Sequence, residues 1–339
     1  MGTGTFLHDT GERAMLDLVA IGRAGVDLFS LDYGVRLEEA KRFARYVGGP
    51  AANTVVGGAR LGLKCALVTR VSDDELGSFV VGFLESEGVD VSHVRKDGKR
   101  KTGIVFAEVL PGKDGRFIFY RENVADLQVT TGDVGDKILD ETRALLFTGT
   151  GLSREPSLST VLDAAGSAKK LGKMVVLNLD WRPSLWSATE EERVARFRKA
   201  MATSSVLIGN EKEYIAATGT LDIESALRSI ADGERKMIVV TRGDSGSEVR
   251  LAGKTYRAQG FRVPLIKGLG GGDGFIAGFL LGRLRGWGPK ESAIFGNAVG
   301  AMVVTGHACS ESMPNLAKVV SFLRRNGFSF DGKAGPSKR

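Results

Sequence analysis

Apolar and polar positions fall in alternating blocks along this chain of 339 residues. The run "LDLVAIG", residues 16 to 22, is short, apolar and closed by glycine, which predicts a buried strand entering a loop. "NTVVGGARLG" after Gly49 reads as a helix and "CALVTRV" as the next strand, followed by the helix "ELGSFVVGFLESEG" with its glycine stop. Further on, "ALLFTGTG", "MVVLNLD", "SSVLIGN" and "KMIVVTRG" read as strands, with "SLSTVLDAAGSAKKLG" and "ESALRSIAD" as helices between them. Apolar strands separated by helices predict an α/β fold, with a mainly parallel sheet covered on both faces.

Two stretches break this rhythm, about 29–46 and 94–122, where charge and strict alternation increase. "GIVFAEVLPGKDGRFIFYRE" predicts a hairpin turning at "GKDG". The expected organisation is a flexible tail over 1–14, one α/β domain over 15–327 and a flexible tail over 328–339. The domain carries a small β lid made from the two insertions. Exposed strands of such a lid offer an edge through which a homodimer would pair.

Composition narrows the class. Hydrophobic residues make up 42% of the chain, enough for a sizeable core. Two cysteines, Cys65 and Cys309, and three histidines argue against a disulfide framework or a thiolate metal centre, and for a reducing, cytoplasmic setting. No run approaches the roughly 18 apolar residues of a membrane span, and the first residues lack an apolar signal core. The net charge is +7, but its densest cluster, "RKDGKRK" from Arg95 to Lys101, has no interleaved aromatics. That argues against a nucleic-acid partner, while a positive field favours anionic small molecules.

Glycine is the informative residue, with 46 copies, about twice the usual share of roughly 7%. In "GLGGGDGFIAGFLLG" an extended segment enters a glycine loop and then a helix, whose Phe275, Ile276, Phe279 and Leu280 are spaced to face the core. Gly270, Gly271 and Gly272 then lie at a helix N-terminus, where free N–H groups and the helix dipole attract phosphate. A carboxylate at Asp273 would repel that anion unless it had other work, such as taking a proton from an attacking hydroxyl. The alternative is an N-cap aspartate followed by a packing contact. "GSAKKLGKM" is one residue too long for a P-loop, and no G-x-G-x-x-G occurs, which argues against a dinucleotide-dependent dehydrogenase.

Four segments in order resemble the ribokinase-like (PfkB) carbohydrate kinases, over roughly residues 16 to 326. They are "GGPAANTVVGGARLG" (G-G-x-x-x-N in the family), "NEKE" (N-x-x-E), "TRGDSG" (T-x-G-x-x-G) and "GGGD" (G-A-G-D). "IGRAGVDLFSLDYGVRLEE", "FYRENVADLQ", "LDWRPSLW" and "HACSESMP" resemble the subfamily that phosphorylates the C6 hydroxyl of 5-dehydro-2-deoxy-D-gluconate in myo-inositol catabolism.

The resemblance implies a three-layer α/β/α fold and an ATP- and Mg²⁺-dependent kinase acting on a sugar acid. It implies Asp273 as general base and Gly270 to Gly272 as anion hole. Asp27, Asn53 and the Gly49 backbone would hold sugar hydroxyls. Arg121 and Arg182 are candidates for the substrate carboxylate, since guanidinium pairs with carboxylate in bidentate fashion. Asn210 and Glu213 would organise Mg²⁺, with Glu213 as the metal residue, although "NEKE" also reads as an acidic helix start. Thr241, Gly243, Gly246 and Asn297 would line the nucleotide site.

Three positions depart from the pattern. Gly271 and Gly274 replace residues that are usually alanine or another small residue. Lys267 stands where the family usually has Asp or Asn, which in many members helps hold a monovalent cation. Its ammonium either substitutes for that ion or points to solvent. Alternatives within the class are 2-keto-3-deoxygluconate kinase, ribokinase and fructokinase. Outside it stands a catalytically silent sugar-binding relative, against which the intact Asp273 argues.

Overall fold

The computed structural model describes residues 15–112, 115–135, 137–230 and 236–338. The tail expected over 1–14 and the two central residues of the "GKDG" turn lie outside the described residues. The strands are β1 (Leu16–Ile21), β2 (Gly25–Ser30), β3 (Phe43–Gly48), β4 (Cys65–Ser72), β5 (Val94–Asp97), β6 (Ile104–Ala107), β7 (Phe117–Tyr120), β8 (Thr142–Thr148), β9 (Met174–Asn178), β10 (Val206–Asn210), β11 (Met237–Thr241), β12 (Ser247–Leu251), β13 (Lys254–Ala258), β14 (Phe328–Asp331) and β15 (Gly335–Lys338). The helices are α1 (Pro50–Arg60), α2 (Glu75–Ser86), the single turn α3 (Thr131–Val134), α4 (Ser157–Lys170), α5 (Glu190–Thr203), α6 (Glu211–Thr218), α7 (Ile223–Ile230), α8 (Gly271–Leu284), α9 (Pro289–Val303) and α10 (Leu316–Arg325).

The main sheet has nine strands in the order β13-β12-β11-β10-β9-β8-β1-β4-β5. It is parallel from β11 to β5 and ends in the antiparallel pairs β11–β12 and β12–β13. Because successive side chains point to opposite faces, one strand feeds two cores. Leu18 and Ala20 of β1 join Leu146 and Val176 on the face packed by α1, α8 and α9. Val19 and Ile21 join Leu145 and Phe147 on the face packed by α4, α5 and α6. This explains why these strands read as continuous apolar runs rather than alternating ones.

The tight pair α8–α9 accounts for several glycines. A Cβ on Gly278 would come within 3.0 Å of the Gly296 Cα, and one on Gly274 within 3.4 Å of the Gly300 Cα. Gly274, which costs helix stability locally, thus permits the two helices to approach closely. Phe275, Ile276, Phe279 and Leu280 are all buried, as their spacing predicts.

A second, four-stranded sheet in the order β3-β2-β6-β7 forms the lid. Its strands only partly follow the expected insertions. β2 and β3 extend beyond 29–46 at both ends, and β5 lies in the main sheet beside β4 instead of in the lid. β6 and β7 form the expected antiparallel hairpin.

The segment read as a C-terminal tail forms the hairpin β14–β15 over residues 328–338. Its sequence is polar, but buried Phe328 and the packing of Phe330 against Trp287 anchor it. Trp287 is itself buried and donates Nε1–H to the Gly332 carbonyl at 3.0 Å. Trp287→Ala should therefore cost about 3–5 kcal/mol, measured by urea denaturation. A loss below about 1 kcal/mol would show that the hairpin is not held through this side chain.

Candidate active site

Parallel α/β sheets place ligands beyond the C-terminal ends of their strands, where loops and helix N-termini converge. A cleft of about 740 Å³ opens there, reached by Asn178 at the end of β9, Asn210 at the end of β10 and Thr241 at the end of β11. A smaller pocket under the lid is reached by Asp27 of β2, Asn53 of α1 and Phe119 of β7. Asp180, Arg182, Leu269, Gly270 and Asp273 line both, so the two cavities meet at these residues.

The glycine loop ends at this junction. Gly270 adopts φ 81° at the N-cap of α8, and no side chain caps that helix end. A Cβ on Gly272 would meet nothing within 4 Å. The first-turn N–H groups therefore remain available beside the cleft. Asp273 is not an N-cap. It lies in the first turn, and its Oδ2 accepts from Asn53 Nδ2 at 2.7 Å. Asn53 is fixed in turn by Ser310, whose Oγ donates to Asn53 Oδ1 at 2.6 Å. Burial and the nearby Asp180 charge push the Asp273 carboxyl up to about 7, against the Asn53 hydrogen bond and the Arg182 and Arg23 charges.

Glu213 is also raised to about 7, by burial and then by Asp180. It forms a capping box at the start of α6. Asn210 N–H donates to Glu213 Oε2 at 2.9 Å, and Glu213 N–H donates to Asn210 Oδ1 at 3.0 Å. The acidic helix start and the cleft-lining position are thus the same structure. Thr241, Gly243 and Gly246 line the cleft beside it. Asn297 lines it too, but its Nδ2 holds the Gln259 carbonyl at 2.9 Å.

Asp27 is 8% exposed, with Oδ1 buried and unpartnered. Burial raises its pKa, opposed by Arg23, Lys267 and Arg121. The neighbouring chain can approach this carboxylate only at a glycine, since a Cβ on Gly48 would lie 2.0 Å from Asp27 Oδ2. Gly49 adopts φ 110° and lines the same pocket.

Arg121 is not brought to either cavity. Both its terminal nitrogens donate to Asp126, at 2.8 and 2.6 Å, in a buried bidentate pair. Sequence could not anticipate this, because Asp126 follows within the same segment and only the lid's return path folds it back. Arg182 does reach the junction, with Nε on Asp180 Oδ1 at 3.0 Å. Lys267 is 2% exposed, which excludes the solvent-facing orientation. Its Nζ donates to the Leu269 carbonyl at 2.6 Å, immediately before the glycine loop.

Two site residues escaped the sequence reading. Asp180 follows β9 with φ 29° and is 3% exposed, accepting from Arg182 and from Thr150 Oγ1. Arg23 follows β1 and lines the pocket under the lid. The available signal was shared: a charged residue just past the C-terminal end of an apolar strand.

Comparison with known proteins agrees with this geometry. Residues 15–316 match the pfkB family carbohydrate kinase model. The chain belongs to the pfkB family of carbohydrate kinases. It is a sugar kinase with the ribokinase-like α/β fold. It is 35% identical to the 5-dehydro-2-deoxygluconokinase of Clostridium tetani, over 92% of this chain and 94% of the relative. Among solved structures it resembles a sugar kinase of Pyrococcus horikoshii in complex with ATP, at TM-score 0.79 and 26% identity, covering 90% of this chain and 97% of that one. A fructokinase variant of Vibrio cholerae, in a fructose-, ADP- and potassium-bound form, matches at TM-score 0.80 and 26% identity, over 91% of this chain and 99% of that one. No helix among the described residues is long and apolar enough to cross a membrane.

The raised Asp273 pKa has a consequence for stability. Between the ordinary carboxylate range and about 7 the folded state binds this proton more tightly than the unfolded state, so stability falls as pH rises through that window. Asp273→Asn should melt above the wild type at pH 8, with the gap narrowing towards pH 5. A lower melting temperature for the variant at pH 8 would contradict the raised pKa.

Proposed function

We propose that this kinase transfers the γ-phosphoryl group of ATP to the C6 hydroxyl of 5-dehydro-2-deoxy-D-gluconate, within myo-inositol breakdown. The observation carrying the reading is the position of Asp273. It joins the two cavities, its pKa stands at about 7, and it sits in the first turn of an uncapped helix. The printed name of the Clostridium tetani relative supports the choice of acceptor, and the ATP-bound Pyrococcus horikoshii kinase supports the donor.

The larger cleft takes ATP, along Thr241, Gly243, Gly246 and Asn297, and the pocket under the lid takes the sugar acid. Asp27 Oδ1, buried without a partner, accepts a substrate hydroxyl, beside Gly49 and Asn53. Asn53 and Ser310 orient the Asp273 carboxylate. As the C6 oxygen bonds to the γ-phosphorus, its proton passes to Asp273 and the β–γ bridging oxygen leaves with ADP. The N–H groups of Gly270 to Gly272 meet the charge on the transferring group, where oriented donors act most strongly.

The donor set also fits Mg²⁺. Burial, and then the charge of Asp180, raises the pKa of both Glu213 and Asp273, so the site gathers carboxylates whose negative charge a divalent cation would relieve. Among the described residues no group of three or more His, Cys, Asp or Glu is placed to chelate a metal. Mg²⁺ usually keeps several of its waters and takes only one or two carboxylates. Glu213, with Asn210 behind it, would hold those waters, and the ion would neutralise phosphate charge.

Coupled ADP-release assays with ATP and Mg²⁺ test the reading, comparing 5-dehydro-2-deoxygluconate, 2-keto-3-deoxygluconate, ribose and fructose. The first should be preferred, and Asp273→Asn should lower kcat by about 10²–10⁴ with substrate binding retained. Unchanged turnover in the variant would remove Asp273 as base.

Lys267 supplies a fixed positive charge behind the glycine loop, where its ammonium holds the Leu269 carbonyl. Turnover should be the same in potassium chloride and in choline chloride at equal ionic strength. Strong activation by potassium would show that Lys267 does not replace the ion.

A further inference from the structure

The pocket under the lid holds one guanidinium that no side chain among the described residues pairs with. Arg23 lines this pocket but not the larger cleft. Its Nε is buried with no hydrogen-bond partner, and its side chain makes no hydrogen bond or ion pair among the described residues. The two other arginines of this region are already engaged, Arg121 by Asp126 and Arg182 by Asp180. Burial, and then the like charge of Arg121, disfavour the charged form of Arg23, and the charges of Asp27, Asp180 and Asp126 offset them only in part, so a bound anion would complete the compensation.

The lid is built around the same group. Phe117 and Phe119 lie two apart on β7 and so share a face, while Ile118 and Tyr120 point to solvent. The Arg23 guanidinium sits 5.7 Å from the Phe119 ring centre, and that of Arg182 sits 5.8 Å from Phe117. The two rings meet edge to face at 5.4 Å. One lid strand therefore covers two guanidinium groups with aromatic rings.

We propose that Arg23 binds the carboxylate of the sugar-acid substrate and makes the enzyme selective for acids over neutral sugars. This rests on the proposed function for the placement of the other end of the substrate. With the reacting hydroxyl at Asp273, the carboxylate lies at the far end of a six-carbon chain, away from the nucleotide. Arg23 belongs to the sugar pocket alone, whereas Arg182 stands where the two cavities meet. Bidentate pairing to Arg23 supplies the hydrogen-bonded partner that this guanidinium lacks and leaves Arg182 at the transfer point.

The test is steady-state kinetics of the wild type, Arg23→Met and Arg23→Lys. The acceptors are 5-dehydro-2-deoxygluconate, 2-keto-3-deoxygluconate and the neutral ketose fructose. The KM for ATP and the melting temperature report on folding. Truncating a buried charge partner predicts a rise of roughly 100-fold in KM for the acid that the wild type prefers. The KM for fructose and for ATP should stay unchanged, and Arg23→Lys should recover only part of the loss. If Arg23→Met does not fold, the same comparison is made with Arg23→Lys, which keeps the charge and loses the fork. An unchanged KM for the acid, or an equal rise for acid and fructose, overturns the assignment. A wild type that prefers 2-keto-3-deoxygluconate, with the Arg23 dependence intact, supports the assignment and rejects the proposed substrate. A wild type that prefers fructose overturns both.

Discussion

The site depends on like charges held close together. Asp180, Glu213 and Asp273 come from three different parts of the chain, and burial first, with the Asp180 charge second, raises the pKa of the other two. Arg182 bonds to Asp180, and its charge also bears on Glu213 and Asp273. Such an arrangement is costly in a ligand-free protein, because partly desolvated carboxylates repel one another. It suits the phosphoryl transfer proposed above, in which Asp273 takes a proton near neutral pH. The rest of the architecture keeps this cluster from relaxing.

Rigidity comes from below and closure from above. The close contact of α8 with α9, possible only with glycine at their crossing, fixes the axis of the helix that carries Asp273. Asn53 and Ser310 then fix its carboxylate from α1 and from the turn before α10. The lid adds Asp27 from one strand and two aromatic rings from another. The pocket under the lid is thereby tied to the position of a sheet that is separate from the main one. Lys267 joins the two levels, since its ammonium meets the Leu269 carbonyl at the glycine loop and lies 5.6 Å from the ring of Phe29 in the lid.

Much of this was legible without coordinates. The buried parallel strands announced themselves because both their faces are covered, and Asp273 stood out because a carboxylate among phosphate-binding glycines needs a chemical reason. Arg121 misled because its partner was invisible. A guanidinium in an apolar segment reads the same whether it awaits a substrate or is already paired with Asp126. Arg23 and Asp180 were overlooked although both lie in segments that carry the resemblance, since neither stands beside a glycine loop or a second acid that would mark it for chemistry. The C-terminal hairpin was missed because two aromatic anchors in a polar segment carry little periodicity.

The sequence by itself determined the layered fold, the strand–helix alternation and the glycine loop with its aspartate. These rest on local spacing, which hydrophobic burial and backbone geometry convert directly into elements. Only the tertiary structure decided which charges remain free. Whether an arginine is neutralised, as Arg121 is, or left without a partner among the described residues, as Arg23 is, depends on which side chains the folded lid turns into one desolvated space. Electrostatic pairing acts across a few ångströms of space, whereas a sequence records distance along the chain.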